Sequence, residues 1–199
     1  MDIKRVRILT YFKLFIAGAF ALFLAGCMSL GTVRTMHALS SINPVEDDLS
    51  GFVFGVSAPS SLKVVPETSK FTLLIQANGD APVETGFELE RIGAADVAFS
   101  KLPQDRNRVL SLFKLTDDAK KKVREHQALI RDMKSKGMKG TFGIGLQPDF
   151  CKTAPIDYGR EKFTAYVAQS GNGELMPLIE NMSIKDLLKQ AKQSEVRDC

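Results

Sequence analysis

The sequence has little of the residue chemistry that most catalytic and metal sites require. It contains no tryptophan, two histidines and three cysteines among its 199 residues. None of these histidines and cysteines is spaced as a zinc ligand, and no Gly-x-Ser-x-Gly motif presents a nucleophilic serine. The stretch from Gly140 to Gly145 lacks the lysine and the following helix of a phosphate-binding loop. The sequence therefore indicates no catalytic residue, no metal site and no cofactor site.

The two histidines are the only imidazole bases. His37 has no carboxylate or cysteine near it in the sequence and is interpreted as a surface residue. His126 falls on the apolar stripe of a predicted helix, where a partly buried, hydrogen-bonded histidine is the commoner role. Neither histidine predicts a catalytic centre.

A concentration of positive charge is also missing. The formal net charge is +4, but Lys4, Arg5, Arg7 and Lys13 against Asp2 place three of these charges before residue 14. The chain from Cys27 onward therefore carries a net charge of only +1. Binding to nucleic acid needs a concentrated basic face. The composition excludes nucleic acid as an expected partner.

The uncharged apolar run near the N-terminus, residues 14–24, is too short for a membrane span, which needs about 20 apolar residues. It follows the basic residues 4–7, and a basic start before a short apolar core is the order found in an export signal. The run ends in Leu24-Ala25-Gly26-Cys27, one large apolar residue, two small ones and a cysteine. This ending resembles the lipobox of bacterial lipoproteins.

The resemblance implies that residues 1–26 are a signal peptide and that Cys27 is the lipidation site. In that family the cysteine thiol takes a diacylglycerol and the new N-terminus is acylated, for example with palmitate. Several acyl chains give a stable anchor, whereas one chain is marginal. Met28 stands where inner-membrane retention in enteric relatives uses aspartate, which favours the periplasmic face of the outer membrane over the inner membrane. The alternative is a buried cysteine after an ordinary cleaved signal or an N-terminal anchor helix.

Two further cysteines, Cys151 and Cys199, remain for the exported domain. An oxidising compartment and an even number of remaining thiols predict a disulfide between them. The alternative is two free thiols with a disordered polar tail over residues 190–198.

Apolar residues after Gly51 alternate with a period of two, which is typical of strands with one buried face. Asn78-Gly79 predicts a hairpin, and residues 170–173 predict a second turn. Pro177 places the last strand at a sheet edge. Alternate glycines, Gly143 and Gly145, indicate a close neighbour on that face. The predicted strands cover residues 52–56, 71–77, 83–89, 97–99, 109–115, 142–146, 163–167 and 175–179.

Two helices are predicted among these strands. Thr116 is placed to cap the first helix, about 116–136, and Gly137 is placed to end it. Ser183 and Asp186 predict the start of a C-terminal helix, about 183–192. The resulting fold class is mainly β: an antiparallel β-sandwich, immunoglobulin-like by architectural analogy, with an inserted helix and a C-terminal helix. The alternative is an α+β open antiparallel sheet.

The expected organisation has three parts: a signal peptide (1–26), a lipidated N-terminus with connector (27–50) and a single β-rich domain (51–199). The leading functional hypothesis is a non-enzymatic envelope lipoprotein that is held in the membrane through lipid on Cys27 and binds an envelope protein partner. One alternative is a cell-wall hydrolase using carboxylates, although Glu84, Glu88 and Glu90 on one strand face indicate a solvated surface. Another is a carrier of a lipid-like ligand in a cavity between sheet and helix. The basic residues of the inserted helix are interpreted as a solvated face, with anionic lipid as the alternative.

Overall fold

The computed structural model describes residues 42–77, 80–99, 102–103, 107–170 and 173–199. The strands in these ranges are β1 (Val53–Pro59), β2 (Leu62–Val64), β3 (Lys70–Ala77), β4 (Val83–Ile92), β5 (Arg108–Leu115), β6 (Gly140–Gln147), β7 (Phe150–Lys152), β8 (Lys162–Ala168), β9 (Met176–Ser183) and β10 (Arg197–Asp198). The helices are α1 (Asp117–Ser135) and α2 (Ile184–Ala191), with short 3-10 helices at Leu49–Gly51 and Ala94–Asp96. The prediction of a mainly β, antiparallel fold with an inserted and a C-terminal helix is confirmed.

Seven strands form one sheet, in the order β6-β3-β4-β5-β1-β8-β9, which bends into a nearly closed barrel. The other three strands form a small sheet in the order β10-β7-β2. A sandwich and a barrel both bury alternate residues of each strand, so the alternation that predicted the strands does not distinguish between these two ways of arranging them.

The two edge strands of the large sheet run in the same direction. Every neighbouring pair in this sheet is antiparallel, so strand direction alternates across its seven strands. Because seven is an odd number, β6 and β9 are parallel to each other and to β1. We call the end of the barrel where β1, β6 and β9 finish the upper rim, and the end where they begin the lower rim.

Phenylalanines fill the barrel interior. Those at positions 52, 54, 71, 87, 113 and 163 are all fully buried. The rings of Phe54 and Phe71 lie 4.9 Å apart, and those of Phe71 and Phe87 lie 6.0 Å apart. Because these side chains come from different strands, the aromatic core ties the sheet across its interior.

The outer face of β1 is also covered, which explains why almost the whole strand is buried. Leu112, Ala168 and Leu175 form a second apolar cluster there, on which Val97 and Phe99 pack. The predicted strand at 97–99 is wrong, because these residues belong to no strand and cover the sheet as part of a loop. Three consecutive apolar residues fit either role, so the pattern alone could not decide.

Helix α1 lies at the lower rim, between the end of β5 and the start of β6. Its cap is the predicted one, since the Thr116 hydroxyl accepts a hydrogen bond from the Ala119 N–H at 3.2 Å. Gly137 follows the helix with a φ of +71°, a left-handed conformation that glycine adopts without strain. Ala119, Val123 and Ile130 of its stripe are buried.

The folded domain begins before Gly51, the boundary expected from the sequence. Ile42 and Leu49 are buried in the core, and the Gln127 side chain of α1 donates to the carbonyls of Pro44 and Asp47 at 2.9 and 2.7 Å. The segment 42–50 therefore packs against α1 instead of acting as a connector. Residues 27–41 lie outside the described residues.

At the upper rim, α2 continues directly from β9. The Ser183 hydroxyl accepts from the Asp186 N–H at 3.1 Å, as the capping pattern predicted. The predicted hairpins join β3 to β4 and β8 to β9, although Asn78, Gly79, Gly171 and Asn172 themselves lie outside the described residues. Strand β9 with Pro177 lies at the edge of the large sheet, as predicted. Within the described ranges, no helix has the length and apolar character to cross a membrane.

Candidate binding cleft at the upper rim

A cleft of about 650 Å³ opens at the upper rim, where both edge strands finish. The end of β6 and the turn into β7 form one wall, and α2 with the C-terminal segment forms the other. The end of β9 contributes Ile179 and Met182 between them. The cleft therefore lies at the seam that the large sheet leaves between its two edges.

The floor of the cleft is apolar. Leu146, Phe150, Leu188 and Val196 all face it, and each is no more than 5 % exposed. These side chains belong to the same core cluster as the barrel interior. The floor is thus a rigid extension of the main core.

Polar groups form the rim. Asp149 is the best-connected of them: its carboxylate accepts from the Thr68 hydroxyl, from the Phe150 N–H at 2.9 Å and from the Arg197 guanidinium at 3.1 Å. The Ser69 hydroxyl in turn accepts from the Asp149 N–H at 2.9 Å. With three donors on its two oxygens, this carboxylate orders the wall of the cleft and has little capacity left for a proton transfer.

The disulfide joins the two walls. Cys151 in β7 is bonded to Cys199, which follows β10, and the two Cα atoms lie 4.8 Å apart. Arg197 pairs with Cys151 in the parallel ladder of β10 and β7, so the bridge and the ladder fix the C-terminal segment beside the cleft. The structure joins the two cysteines that the sequence paired.

The three glutamates of β4 do not form an acid–base pair. Glu84 accepts from the Gln147 amide at 2.6 Å. Glu88 and Glu90 pair with Lys70 and Lys114 at 3.8 and 3.2 Å, respectively. These contacts agree with the interpretation of this strand face as a solvated surface.

His126 has a packing role. Its Nδ1–H donates to the Lys122 carbonyl at 2.8 Å, and its ring meets that of Phe87 edge-on, with centroids 5.2 Å apart. It is partly buried on α1, as expected, and lies at the lower rim away from the cleft. Cys27 and His37 lie outside the described residues.

No group of three or more histidine, cysteine, aspartate or glutamate side chains arranged to hold a metal ion occurs among the described residues. Sequence reasoning did not identify Thr68, Asp149 or Arg197 as neighbours. Thr68 is 81 residues from Asp149 in the chain, and Arg197 is 48 residues from it. The only signal was indirect: the predicted disulfide would bring residue 199 close to residue 151.

Comparisons with protein-family models, with curated proteins and with solved structures gave no significant match to this chain. The class of protein is therefore defined by the structure itself: a mainly β domain, a nearly closed barrel, with an apolar-floored cleft at its upper rim.

Proposed function

We propose that this protein is a bacterial envelope lipoprotein that is anchored through lipid on Cys27 and binds a protein partner in the upper-rim cleft. The lipobox-like sequence at residues 24–27 supports the anchor, and the form of the cleft supports the partner. The export signal and the absence of aspartate after Cys27 favour the periplasmic face of the outer membrane.

The cleft is the observation that carries the partner-binding proposal. A deeply apolar floor below a polar rim is the arrangement of a protein–protein binding site. In the described chain, β6 pairs only with β3 and β9 pairs only with β8, so each presents an open edge beside the cleft. An open edge offers backbone hydrogen bonds to an extended segment of a partner.

A hydrolase is less well supported. Asp149 and Glu195 are the carboxylates that line the cleft. Glycoside cleavage needs one carboxyl group whose proton is available and a second one free to act as base or nucleophile. The three hydrogen bonds on Asp149 argue against either role.

A carrier of an apolar small molecule is the second candidate, and the volume of the cleft favours it. About 650 Å³ falls within the range of small-molecule pockets, and the floor is apolar. The two candidate functions differ in their ligand. A partner-binding protein would bind a polypeptide segment in the cleft, whereas a carrier would bind a lipid-like molecule.

Photo-crosslinking in intact cells distinguishes them. A photoreactive residue replaces Gln190, which is exposed on the wall of the cleft, and a matched chain carries it at the exposed Lys121 on α1. Partner binding predicts a discrete protein adduct from position 190 and none from position 121. A lipid-sized mass increase at position 190 would support the carrier, and equal adducts from both positions would argue against the cleft.

The anchor is tested separately with Cys27→Ser. We expect the variant to lose incorporation of labelled palmitate and to leave the membrane fraction, because the acyl chains supply the attachment. Unchanged acylation and sedimentation would contradict the lipoprotein assignment.

A further inference from the structure

Exposed apolar side chains gather at the lower rim, close to where the described chain begins. Leu129 is 52 % exposed and Met138 is 38 % exposed. Met138 lines an open hollow of about 400 Å³ together with Val45, Met133 and Phe142. Leu129 lies one helical turn before Met133 on the same face of α1. We call residues 42–46 and 129–142 the lower-rim patch.

The charged residues of this patch are mainly basic. Lys136 is paired with Asp132 at 2.7 Å, and Arg131 donates to the Val45 carbonyl at 3.3 Å. Lys134 and Lys139 are exposed and form no ion pair with any residue in the described ranges. Glu46 is the remaining carboxylate. Apolar side chains beside unpaired lysines are the composition that binds the surface of an anionic bilayer.

The route of the chain brings this patch to the membrane. Residues 28–41 separate Cys27 from Ile42, and at ~3.5 Å per residue they reach at most about 50 Å. The chain then enters the patch at Val45, which Arg131 holds against α1. A tether this short keeps the patch at high local concentration near the bilayer, so even a weak affinity is enough for contact. This step rests on the lipid anchor proposed for Cys27.

We propose that the lower-rim patch docks onto an anionic phospholipid surface, with Leu129 and Met138 at headgroup level and Lys134 and Lys139 beside the phosphates. The cleft lies at the opposite rim of the barrel, so a domain docked in this way presents its cleft away from the bilayer. The tether and the positive charge of the patch together favour a bilayer over a second copy of the chain.

A single introduced thiol tests the proposal in the full-length chain. With Cys27 acylated and Cys151 bonded to Cys199, Met138→Cys provides the one reactive thiol for an environment-sensitive fluorophore. The matched control is Val109→Cys, which replaces an apolar residue that is 51 % exposed. Val109 pairs with Ala58 near the end of β1, at the upper rim. The parent chain takes no label if the three native thiols are occupied.

Both labelled chains are reconstituted into vesicles of phosphatidylethanolamine and phosphatidylglycerol whose acyl chains carry bromine as a quencher. Docking predicts several-fold stronger quenching at position 138 than at position 109. The double variant Lys134→Glu/Lys139→Glu should weaken docking by more than about fivefold at each position, because about fivefold corresponds to loss of the lysine charge alone. The charge-matched control Lys63→Glu/Lys162→Glu, at the upper rim, should leave the quenching unchanged.

Equal and weak quenching at both positions would overturn the docking proposal. A blue shift of the fluorescence at position 138 that increases with protein density, without quenching by the brominated lipid, would also overturn it. That result would identify a second copy of the chain as the occupant. Label on Cys27 of the parent chain would instead contradict the lipoprotein assignment. Because that label would also be present in both variants, the signal of the parent chain is subtracted before positions 138 and 109 are compared. A chain that does not float would contradict both proposals.

Discussion

Asp149 illustrates at the scale of one residue why we propose the cleft as a binding surface. Its side chain is 28 % exposed, yet both of its oxygens are engaged by Thr68, Phe150 and Arg197. These three partners line the cleft and gain fixed positions from one carboxylate. A group bound in this way positions its neighbours, and the apolar floor is then the part of the cleft that remains available to the proposed partner.

Asp117, in the first turn of α1, carries a prediction about pH. The hydrogen bond and charge of Lys120, 2.8 Å away, hold the pKa of the Asp117 carboxyl below its usual value. A depressed pKa in the folded state contributes stability at pH values above the unfolded pKa. This contribution is lost as the pH falls through the folded pKa. We therefore expect Asp117→Asn to melt at a lower temperature than the wild type at neutral pH.

The difference in melting temperature should shrink as the pH falls through the folded pKa of Asp117, because the wild-type carboxyl then becomes neutral as well. Lys120→Gln is the matched variant, because it removes the largest cause of the shift and should reduce the pH dependence in the same way. Thermal melts of the three proteins over this pH range provide the measurement. A gap between wild type and Asp117→Asn that is constant with pH would contradict the explanation.

At the scale of elements, the sequence specified the helices well because their ends have local causes. Thr116, Gly137 and Ser183 each act on the few residues next to them, so a cap can be identified without knowledge of the fold. The loop at 97–99 shows the limit. Val97 and Phe99 are partly buried against an outer cluster of residues distant in the chain, and no local sequence pattern indicates that contact.

Strand β6 carries the second prediction, since its glycines meet the neighbouring strand at different distances. A Cβ added at Gly145 would lie 2.6 Å from the Thr72 hydroxyl oxygen, whereas one at Gly143 would lie 3.5 Å from Leu74. The expectation of a close neighbour is thus confirmed at Gly145. Because Thr72 is buried and has little room to move, Gly145→Ala should destabilise the domain by roughly 1–3 kcal/mol.

Gly143→Ala is the matched control on the same face of the same strand. It should be neutral or slightly stabilising, because alanine limits the unfolded chain more than glycine does and meets only ordinary contacts here. Urea unfolding of both variants measures the difference. Equal destabilisation would show that the strand face, and not the Thr72 contact, requires glycine.

At the scale of the whole molecule, the disulfide determines how stably the C-terminal residues are held against the rest of the domain. The bridge spans 48 residues, and a loop of that length restricts the unfolded chain by about 4 kcal/mol on the chain-entropy model. Cys151→Ala/Cys199→Ala should therefore lower the free energy of unfolding by about this amount. The wild type measured in reductant should match the double variant.

Native-state hydrogen exchange locates the effect. We expect the Val196 and Cys199 amides, which donate to the Tyr158 hydroxyl and the Lys152 carbonyl, to lose protection first, since they lie in the segment held by the bridge. Unchanged protection of these two amides in the double variant would contradict a role for the disulfide in holding this segment.

The arrangement of the whole molecule also explains why the cleft could not be predicted from the sequence. Two cysteines in a chain expected to be exported were sufficient to predict their bond, but the cleft depends on which strands become edges. Edge position follows from the full strand order, which long-range pairing decides. Thr68, Asp149 and Arg197 consequently carried no recognisable pattern, although each is polar and in a turn or next to one.

The direction of β1 has a mechanical consequence. The segment 42–52 leads into the start of β1 at the lower rim, and β1 is paired with β5 on one side and β8 on the other. A lipid held in the bilayer and a protein held in the cleft would pull on opposite ends of the barrel, along the strand axes. Under such tension the backbone hydrogen bonds of β1 are loaded in shear, and many must break together before the strand slides. A domain loaded in this direction resists extension far better than one unzipped bond by bond.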